Sequence, residues 1–279
     1  MQIEELGTLE TPIALTNTLN VGKVWDVMVD IVVEQCEKDG LEPMSINPVV
    51  GECNDSRINR IQKRAVGAAE VRQAFASVAD DFEEGAVGAG TGTICYGMKG
   101  GIGSASRVIR IGEKEYTIGV LVQSNFGATE DFVLNGEAVG AKILDWKQEK
   151  DDMAASEEDK GSIMSILATD LPLTSRQLKR ILRRTGVGIA RTGGYTGHGS
   201  GEVMIGFTTE NRIPSGTEEK LLQIQAIPEH VINRAFLAAA EAEQEAILNS
   251  MTAAERTRGL AGELYYSLAE YLEDQDPKQ

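Results

Sequence analysis

The chain has 279 residues, of which 42% are hydrophobic and 25% charged, as in soluble globular proteins of one large domain or two modest ones. Its formal net charge of −16 at pH 7 argues against nucleic acids and anionic membrane surfaces as partners, because like charges repel. Three unpatterned cysteines give no metal or disulfide spacing, and we find neither a signal peptide nor an apolar run of membrane-spanning length. We therefore expect a cytoplasmic protein without a metal or an organic cofactor.

The first half of the chain alternates strand-like and helix-like patterns. A short strand is predicted over 11–16, and apolar residues at helical spacing predict a helix over 24–36 that stops near Gly40. A second helix is predicted over 65–82. Three strands separated by glycine-rich or charged turns follow, over 93–98, 106–111 and 116–122. This order favours a sheet with helices on its outside.

An almost wholly polar stretch over 147–160 divides the chain. It is predicted to be a linker, because it cannot bury enough apolar surface to order itself, although a plain surface loop would have the same composition. The remaining predicted elements are a buried strand over 162–169, a helix opened by the capping box of Thr174 and Gln177 and ending near Gly186, a strand over 202–208, and two helices after His230.

The junction between the linker and the following strand is the most informative feature of the sequence. Some hydrolases cut their own chain at such a junction, and Ser162 would then become a new N-terminus. The freed α-amine, with an ordinary pKa of roughly 7.7–8.0, can act as a general base at neutral pH. Such a serine needs no catalytic histidine, and the chain contains two histidines, His198 and His230.

A second group of polar residues lies in the segment 198–202. If this segment is extended, His198, Ser200 and Glu202 project to the same side, because side chains alternate along a strand. A hydroxyl and a carboxylate on one face could orient a nucleophile and hold a protonated amine. Taken alone, the segment also fits an ordinary glycine-rich turn.

Three further stretches carry polar groups after or between strands. Glu52 could pair with a substrate ammonium, and Asn54 could donate its amide to an oxyanion or form an ordinary Asn-Asp turn. Asn125, at the end of an apolar strand, is either a turn residue or another oxyanion donor. The glycine run 88–92 is similar to a phosphate loop, but it precedes a strand and no Gly-Lys-Ser/Thr follows, so it does not predict a nucleotide site.

Together these stretches resemble one known family, the DmpA-type L-aminopeptidase/D-esterases and β-peptidyl aminopeptidases. The resemblance covers most of the chain, and its blocks run in family order. The matching blocks are Glu5–Gly22, Pro48–Asp55, Val87–Arg107, Gly119–Gly127, Gly161–Leu173 and Arg191–Phe207.

The resemblance implies an α/β fold, a four-layer αββα sandwich like that of the N-terminal-nucleophile hydrolases but with a separate topology. It implies one hydrolase domain over 1–279. Self-cleavage between Gly161 and Ser162 would divide this domain into the parts 1–161 and 162–279. The implied activity is removal of an N-terminal residue from short peptides, amides or esters that have a free amino terminus.

Carried over residue by residue, the resemblance makes Ser162 the nucleophile and its freed α-amine the base. Ser200 and Glu202 become the supporting catalytic pair, and Asn125 becomes the oxyanion donor. Two substrate-binding residues complete the implied site, Glu52 as the anchor for the substrate ammonium and Asn54, where some relatives have a tyrosine, as a second oxyanion donor.

The resemblance also implies a homo-oligomer, a tetramer of processed heterodimers. Two departures from the family pattern support an alternative. Relatives carry an additional N-terminal segment before the block that starts here near Ile3, and the sequence after Met251 differs from the turn expected there. The alternative is a non-catalytic relative that keeps the fold as a structural or subunit-like protein.

Overall fold

The computed structural model describes residues 2–150, 161–214 and 220–275. Within these ranges the helices are α1 (Gln2–Leu6), α2 (Val21–Lys38), α3 (Ala68–Ala76), α4 (Gly140–Glu149), α5 (Ser175–Leu182), α6 (Thr185–Arg191), α7 (Asn233–Thr252) and α8 (Leu268–Gln275). The strands are β1 (Ile13–Asn17), β2 (Val49–Cys53), β3 (Ile94–Cys95), β4 (Met98–Lys99), β5 (Ile102–Ile111), β6 (Lys114–Asn125), β7 (Val133–Leu134), β8 (Glu137–Ala138), β9 (Ser162–Thr169), β10 (Gly201–Thr208), β11 (Thr257–Arg258) and β12 (Leu264–Tyr265).

The central sheet has four strands in the order β10-β9-β6-β5. β5 and β6 form a long antiparallel hairpin, β9 pairs antiparallel with β6, and β10 pairs parallel with β9. β9 lies inside the sheet and is covered on both faces, which agrees with its nearly continuous apolar sequence. The predicted strand over 162–169 is confirmed residue for residue.

A second sheet, formed by β1 and β2 in parallel, packs on one face of the central sheet. Gly51 of β2 makes this approach possible, because a Cβ there would lie 2.6 Å from Cε of Met164 in β9. On the outer face of β1 and β2 lie α2 and α3. The buried side chains of that helical layer are Val24, Val27, Met28, Ile31 and Val71.

The opposite face of the central sheet is covered by α7, with α5 and α6 beside it. Gly103 in β5 lets the helix backbone come close, because a Cβ would lie 2.1 Å from the carbonyl oxygen of Ala246. The inner side of α7 is correspondingly small, with buried Ala235, Ala238, Ala239, Ala242 and Ala246. The layers therefore run helix, sheet, sheet, helix, and the expected α/β four-layer sandwich is confirmed.

Several predicted boundaries are wrong for local reasons. The helix expected over 65–82 is limited to Ala68–Ala76: it begins after Gly67 and ends before Ser77, and Val78 beyond it is 81% exposed. The strand expected over 93–98 is instead the tight β3–β4 hairpin. Its turn places Tyr96 at φ +50°, a left-handed conformation that interrupts any strand.

In the second half, the capping box of Thr174 and Gln177 opens α5 as predicted, but the helix stops at Leu182 and α6 follows as a separate element. Residues 147–149 of the predicted linker form the end of α4, and residues 151–160 lie outside the described residues. The two predicted C-terminal helices are α7 and α8, with the β11–β12 hairpin between them. No described helix is long and apolar enough to cross a membrane.

Candidate active site

Three strand ends meet at Ser162, the first residue of β9. Asn125, the last residue of β6, pairs with Ser162 on one side, and Gly201, the first residue of β10, pairs with it on the other. This convergence follows from the sheet order, because β9 runs antiparallel to β6 and parallel to β10. Residues that are far apart in sequence, near 125, 162 and 201, therefore share one edge of the sheet.

The peptide bond before Ser162 is held closely. The main-chain N–H of Gly201 donates to the carbonyl oxygen of Gly161 at 3.0 Å. A Cβ at Gly161 would lie 1.9 Å from the main-chain oxygen of Asn125, so no other residue fits there without a backbone shift. The carbonyl at the predicted cleavage site thus already accepts a hydrogen bond from the neighbouring strand.

Beneath Ser162 lies Cys53, the last residue of β2. Its thiol is fully buried, and Sγ lies 3.5 Å from each of the carbonyl oxygens of Gln123 and Ser162, to either of which its single hydrogen can be donated. Burial raises the pKa of the Cys53 thiol to about 12, so it remains protonated at physiological pH. Cys53 therefore ties β2 to β6 and β9, and is not a thiolate nucleophile.

Ser200 and Glu202 form a hydrogen-bonded pair at the start of β10, with 2.5 Å between Ser200 Oγ and Glu202 Oε1. Both are half-buried. Glu202 is in register with Ile163, so its side chain leaves the sheet on the face opposite to the Ser162 side chain. Ser200 and Glu202 flank Gly201, the residue that pairs with Ser162.

His198 does not share that arrangement. It is exposed and lies in a turn, where the N–H of Ser200 donates to the carbonyl oxygen of Gly197 at 3.0 Å. The extended conformation assumed for 198–202 begins at Gly201. The structure thus brings Ser200 and Glu202 together, and leaves His198 apart.

Asn125 is buried and its side-chain amide is oriented by two hydrogen bonds. Oδ1 accepts from the main-chain N–H of Ile94 at 3.0 Å, and Nδ2 donates to the main-chain oxygen of Asn54 at 3.2 Å. An amide nitrogen carries two hydrogens, so one donor of Nδ2 remains for a ligand. A fixed amide with a second N–H is one requirement of an oxyanion donor.

Asn54 itself is exposed. Its Oδ1 accepts from the N–H of Ser56 at 3.0 Å, which is an Asx turn. Its contact with the site runs through the main-chain carbonyl that holds Asn125. The side chain of Asn54 thus forms the turn that was one of the two interpretations of the sequence.

Glu52 lies in β2, half-buried, and its Oε2 accepts a short hydrogen bond from the hydroxyl of Thr18. Thr18 follows β1, which pairs with β2, so the parallel pairing brings the two together across 34 positions in sequence. The hydroxyl fixes the orientation of the carboxylate. A carboxylate held in this way can bind an ammonium group.

Sequence reasoning missed several residues that support the site. Asp55 is buried and accepts from the amide groups of Asn17 and Asn59 at 3.0 and 2.9 Å, which fixes the chain beyond β2. Thr18 and Lys99 also lie inside the resembling blocks, but nothing in their local pattern marks them. Within the described ranges, no three His, Cys, Asp or Glu side chains come together as metal ligands would.

Comparison with protein families gives a match to the model of peptidase family S58 over residues 1–265. Two relatives named beta-peptidyl aminopeptidase BapA are similar to this chain. The one from Sphingosinicella xenopeptidilytica is 35% identical over 95% of this chain and 68% of its own length. The one from Sphingosinicella microcystinivorans is 34% identical over 93% and 67%.

Solved structures agree in fold. The PH0078 protein from Pyrococcus horikoshii OT3 has a TM-score of 0.88 and 45% identity, over 98% of this chain and 74% of that one. The L-aminopeptidase D-Ala-esterase/amidase from Ochrobactrum anthropi, described as a variant of the Ntn hydrolase fold, has a TM-score of 0.84 and 35% identity, over 93% and 71%. A Burkholderia sp. beta-aminopeptidase has a TM-score of 0.85 and 34% identity, over 100% and 78%. The chain therefore belongs to peptidase family S58.

Proposed function

We propose that this chain is a self-processing serine aminopeptidase that releases the N-terminal residue from short peptides, amides or esters. Membership of a peptidase family supports the hydrolysis of peptide-like bonds. The observation that carries the serine mechanism is the meeting of three strand ends at Ser162. Asn125 adjoins it on one side and Gly201 on the other.

The first step is cleavage of the chain itself. Ser162 Oγ attacks the carbonyl carbon of Gly161, the C–N bond breaks, and the departing nitrogen takes a proton and becomes the Ser162 α-amine. Water then hydrolyses the ester between Gly161 and Ser162 Oγ. The Gly201 N–H, 3.0 Å from the Gly161 oxygen, supports the negative charge that develops there.

Turnover of substrate repeats this chemistry with an external carbonyl. The free α-amine takes the proton from Ser162 Oγ as it attacks, and the departing amine or alcohol takes a proton in turn. The remaining N–H of Asn125 donates to the oxyanion. The Ser200–Glu202 pair stabilises the protonated amine. The two residues flank Gly201, which pairs with Ser162, and the Glu202 side chain leaves the sheet on the face opposite to Ser162 Oγ. Water hydrolyses the acyl-enzyme and restores the amine.

Selection for a free amino terminus comes from Glu52. A substrate ammonium that leaves water needs a paired charge, and the carboxylate oriented by Thr18 supplies it. Relatives carry the names beta-peptidyl aminopeptidase and L-aminopeptidase D-Ala-esterase/amidase. Substrates with a free amino terminus, whether amides or esters, are therefore the class to test on this chain.

The test is intact mass and N-terminal sequencing after prolonged incubation at neutral pH, followed by an assay with aminoacyl p-nitroanilides. We expect fragments that end at Gly161 and begin at Ser162, and release of p-nitroaniline. Ser162→Ala should give an uncut, inactive chain with an unchanged melting temperature. An uncut wild-type chain with full activity would refute self-processing, and an uncut inactive one would favour the non-catalytic alternative.

A further inference from the structure

Lys99 in β4 is a fully buried lysine. Its ammonium group donates to three main-chain carbonyl oxygens, those of Gly90 at 2.8 Å, Thr93 at 2.9 Å and Gly100 at 2.7 Å. Burial lowers the pKa of Lys99 to about 7, whereas three carbonyl acceptors favour the protonated form, because a neutral amine has only two N–H groups. All three ammonium hydrogens are therefore taken up by the protein backbone.

One of these three carbonyls leads to the candidate oxyanion donor. The carbonyl of Thr93 and the N–H of Ile94 belong to the same peptide group. That N–H donates to Oδ1 of Asn125 at 3.0 Å. The hydrogen bonds therefore run in one direction, from the Lys99 ammonium through the Thr93–Ile94 peptide to the Asn125 amide, and end at Nδ2.

Hydrogen bonds aligned in one direction strengthen one another, because each donor polarises the next group in the chain. A cation at the start of the chain makes the Ile94 N–H a stronger donor. The polarised Asn125 carbonyl then withdraws electrons from Nδ2. All members of this chain are buried, so water does not screen the effect.

Resting on the function proposed above, we infer that Lys99 is a positioning residue whose charge, relayed through the Thr93–Ile94 peptide, orients and strengthens Asn125 as the oxyanion donor. A merely structural lysine would hold the loop around Gly90 to the β3–β4 hairpin, and its loss would lower stability. The relay predicts two effects that a loss of stability does not: removal of the Lys99 charge weakens the Ile94 N–H as a donor, and it slows the reaction step in which Asn125 binds the oxyanion.

The experiment compares Lys99→Met and Lys99→Gln with wild type, with Lys147→Met as the matched control. Lys147 is also buried and donates to a carbonyl of the same hairpin, that of Gly97 at 2.5 Å, but that peptide does not contact Asn125. Each protein is assayed at pH 6.5 with an aminoacyl p-nitroanilide. The chemical shift of the Ile94 amide proton is measured on the same samples.

We expect both Lys99 variants to lose about tenfold in kcat at an unchanged KM, since a weakened donor costs less than the 10²–10³-fold lost with a whole oxyanion donor. The Ile94 amide proton should move upfield in both, and in Lys147→Met neither quantity should change. In Lys99→Ala, ammonium chloride should restore part of kcat, and sodium chloride at equal ionic strength should not.

An unmoved Ile94 resonance in correctly folded Lys99→Gln would overturn the relay, whether or not the protein is active. A moved resonance with full kcat would overturn its role in the reaction. If wild type neither cleaves itself nor turns over substrate, the proposed function fails. The Ile94 shift still decides in that case whether the charge of Lys99 reaches the N–H that donates to Asn125.

Discussion

Two Ser–Glu hydrogen bonds lie on or beside β9, and they differ in their surroundings. Ser165 Oγ donates to Glu243 Oε1 at 2.6 Å in the layer between the central sheet and α7, where both residues are fully buried. Ser200 Oγ donates to Glu202 Oε1 at 2.5 Å at the sheet edge beside Ser162, where both are half-buried. Nearly the same hydrogen bond therefore occurs once in the core and once at the site.

The difference shows what makes such a pair useful. The core pair is closed by packing, and burial raises the pKa of Glu243 to about 8, which keeps the carboxyl protonated at neutral pH. The edge pair flanks Gly201, which pairs with Ser162, and is in partial contact with solvent. Access to a reacting group, and not the Ser–Glu hydrogen bond as such, separates the candidate catalytic pair from the structural one.

The largest effect on kcat is expected when the Ser200–Glu202 pair is broken. Glu202→Gln removes the negative charge that stabilises the protonated α-amine and should lower kcat about 10³-fold, while the free energy of unfolding changes by less than ~0.5 kcal/mol. Steady-state kinetics and urea denaturation measure the two quantities. Full activity in Glu202→Gln would remove the edge pair from the mechanism and make the two pairs equivalent.

Changes to the Ser165–Glu243 pair should alter the stability of the fold and leave activity unaffected. Because the pKa of Glu243 is about 8 in the folded chain and 4.5 in its ordinary state, the native protein holds a proton that the unfolded chain releases. Its contribution to the free energy of unfolding therefore falls as the pH rises from about 4.5 to about 8, and is constant above that. For one proton, the free energy of unfolding falls by at most about 1.4 kcal/mol per pH unit in this range.

Glu243→Gln removes this proton while keeping an oxygen to accept from Ser165. Urea denaturation at pH 5 and pH 8 should show a smaller loss of stability with pH in Glu243→Gln than in wild type. The kcat of the processed enzyme should stay within twofold. Parallel pH dependences in the two proteins would mean that Glu243 is already ionised in the native state.

Local pattern predicted β9, β10 and α2 because each carries its signal in consecutive residues, and the Thr174–Gln177 capping box lies within one helical turn. The strand predicted over 93–98 is wrong, because Tyr96 has a left-handed backbone conformation that turns the chain into a hairpin. A positive φ at a tyrosine is set by its packing, here against Phe126 and Phe132. Sequence spacing does not record such packing.

The site divides in the same way. Ser162, Asn125 and Glu202 could be named from the family resemblance, and the sheet register then brought Asn125 and the start of β10 beside Ser162. The burial of Lys99 and Glu243 could not be foreseen, because ionisable residues are expected at the surface unless tertiary partners compensate for burial. For Lys99 those partners are three carbonyls one to nine residues away, and for Glu243 the partner is a hydroxyl 78 residues away. The local sequence pattern marks neither set.

Another hydroxyl–carboxylate pair, Thr18–Glu52, tests the proposed binding of the substrate ammonium. Glu52→Gln should raise KM about tenfold for substrates with a free amino terminus, because the ammonium loses its ionic partner. Thr18→Val should raise KM about threefold, since it removes one hydrogen bond to a half-exposed carboxylate. In both variants kcat should be little changed. An equal KM for N-acetylated and free-amine substrates in wild type would argue against Glu52 as the anchor.

The smallest expected effect concerns Cys53, whose buried thiol contacts Ser162 in β9. Since burial raises its pKa to about 12, its thiolate population at pH 8 is negligible. Iodoacetamide at pH 8 should leave Cys53 unmodified in the folded protein, by peptide mass mapping, and should not lower kcat. The half-buried Cys36 is the internal control for reagent reactivity. Alkylation of Cys53 with loss of activity would show that the contact between β2 and the central sheet opens in solution. In that case β2 would belong to the accessible edge of the molecule and not to its closed core.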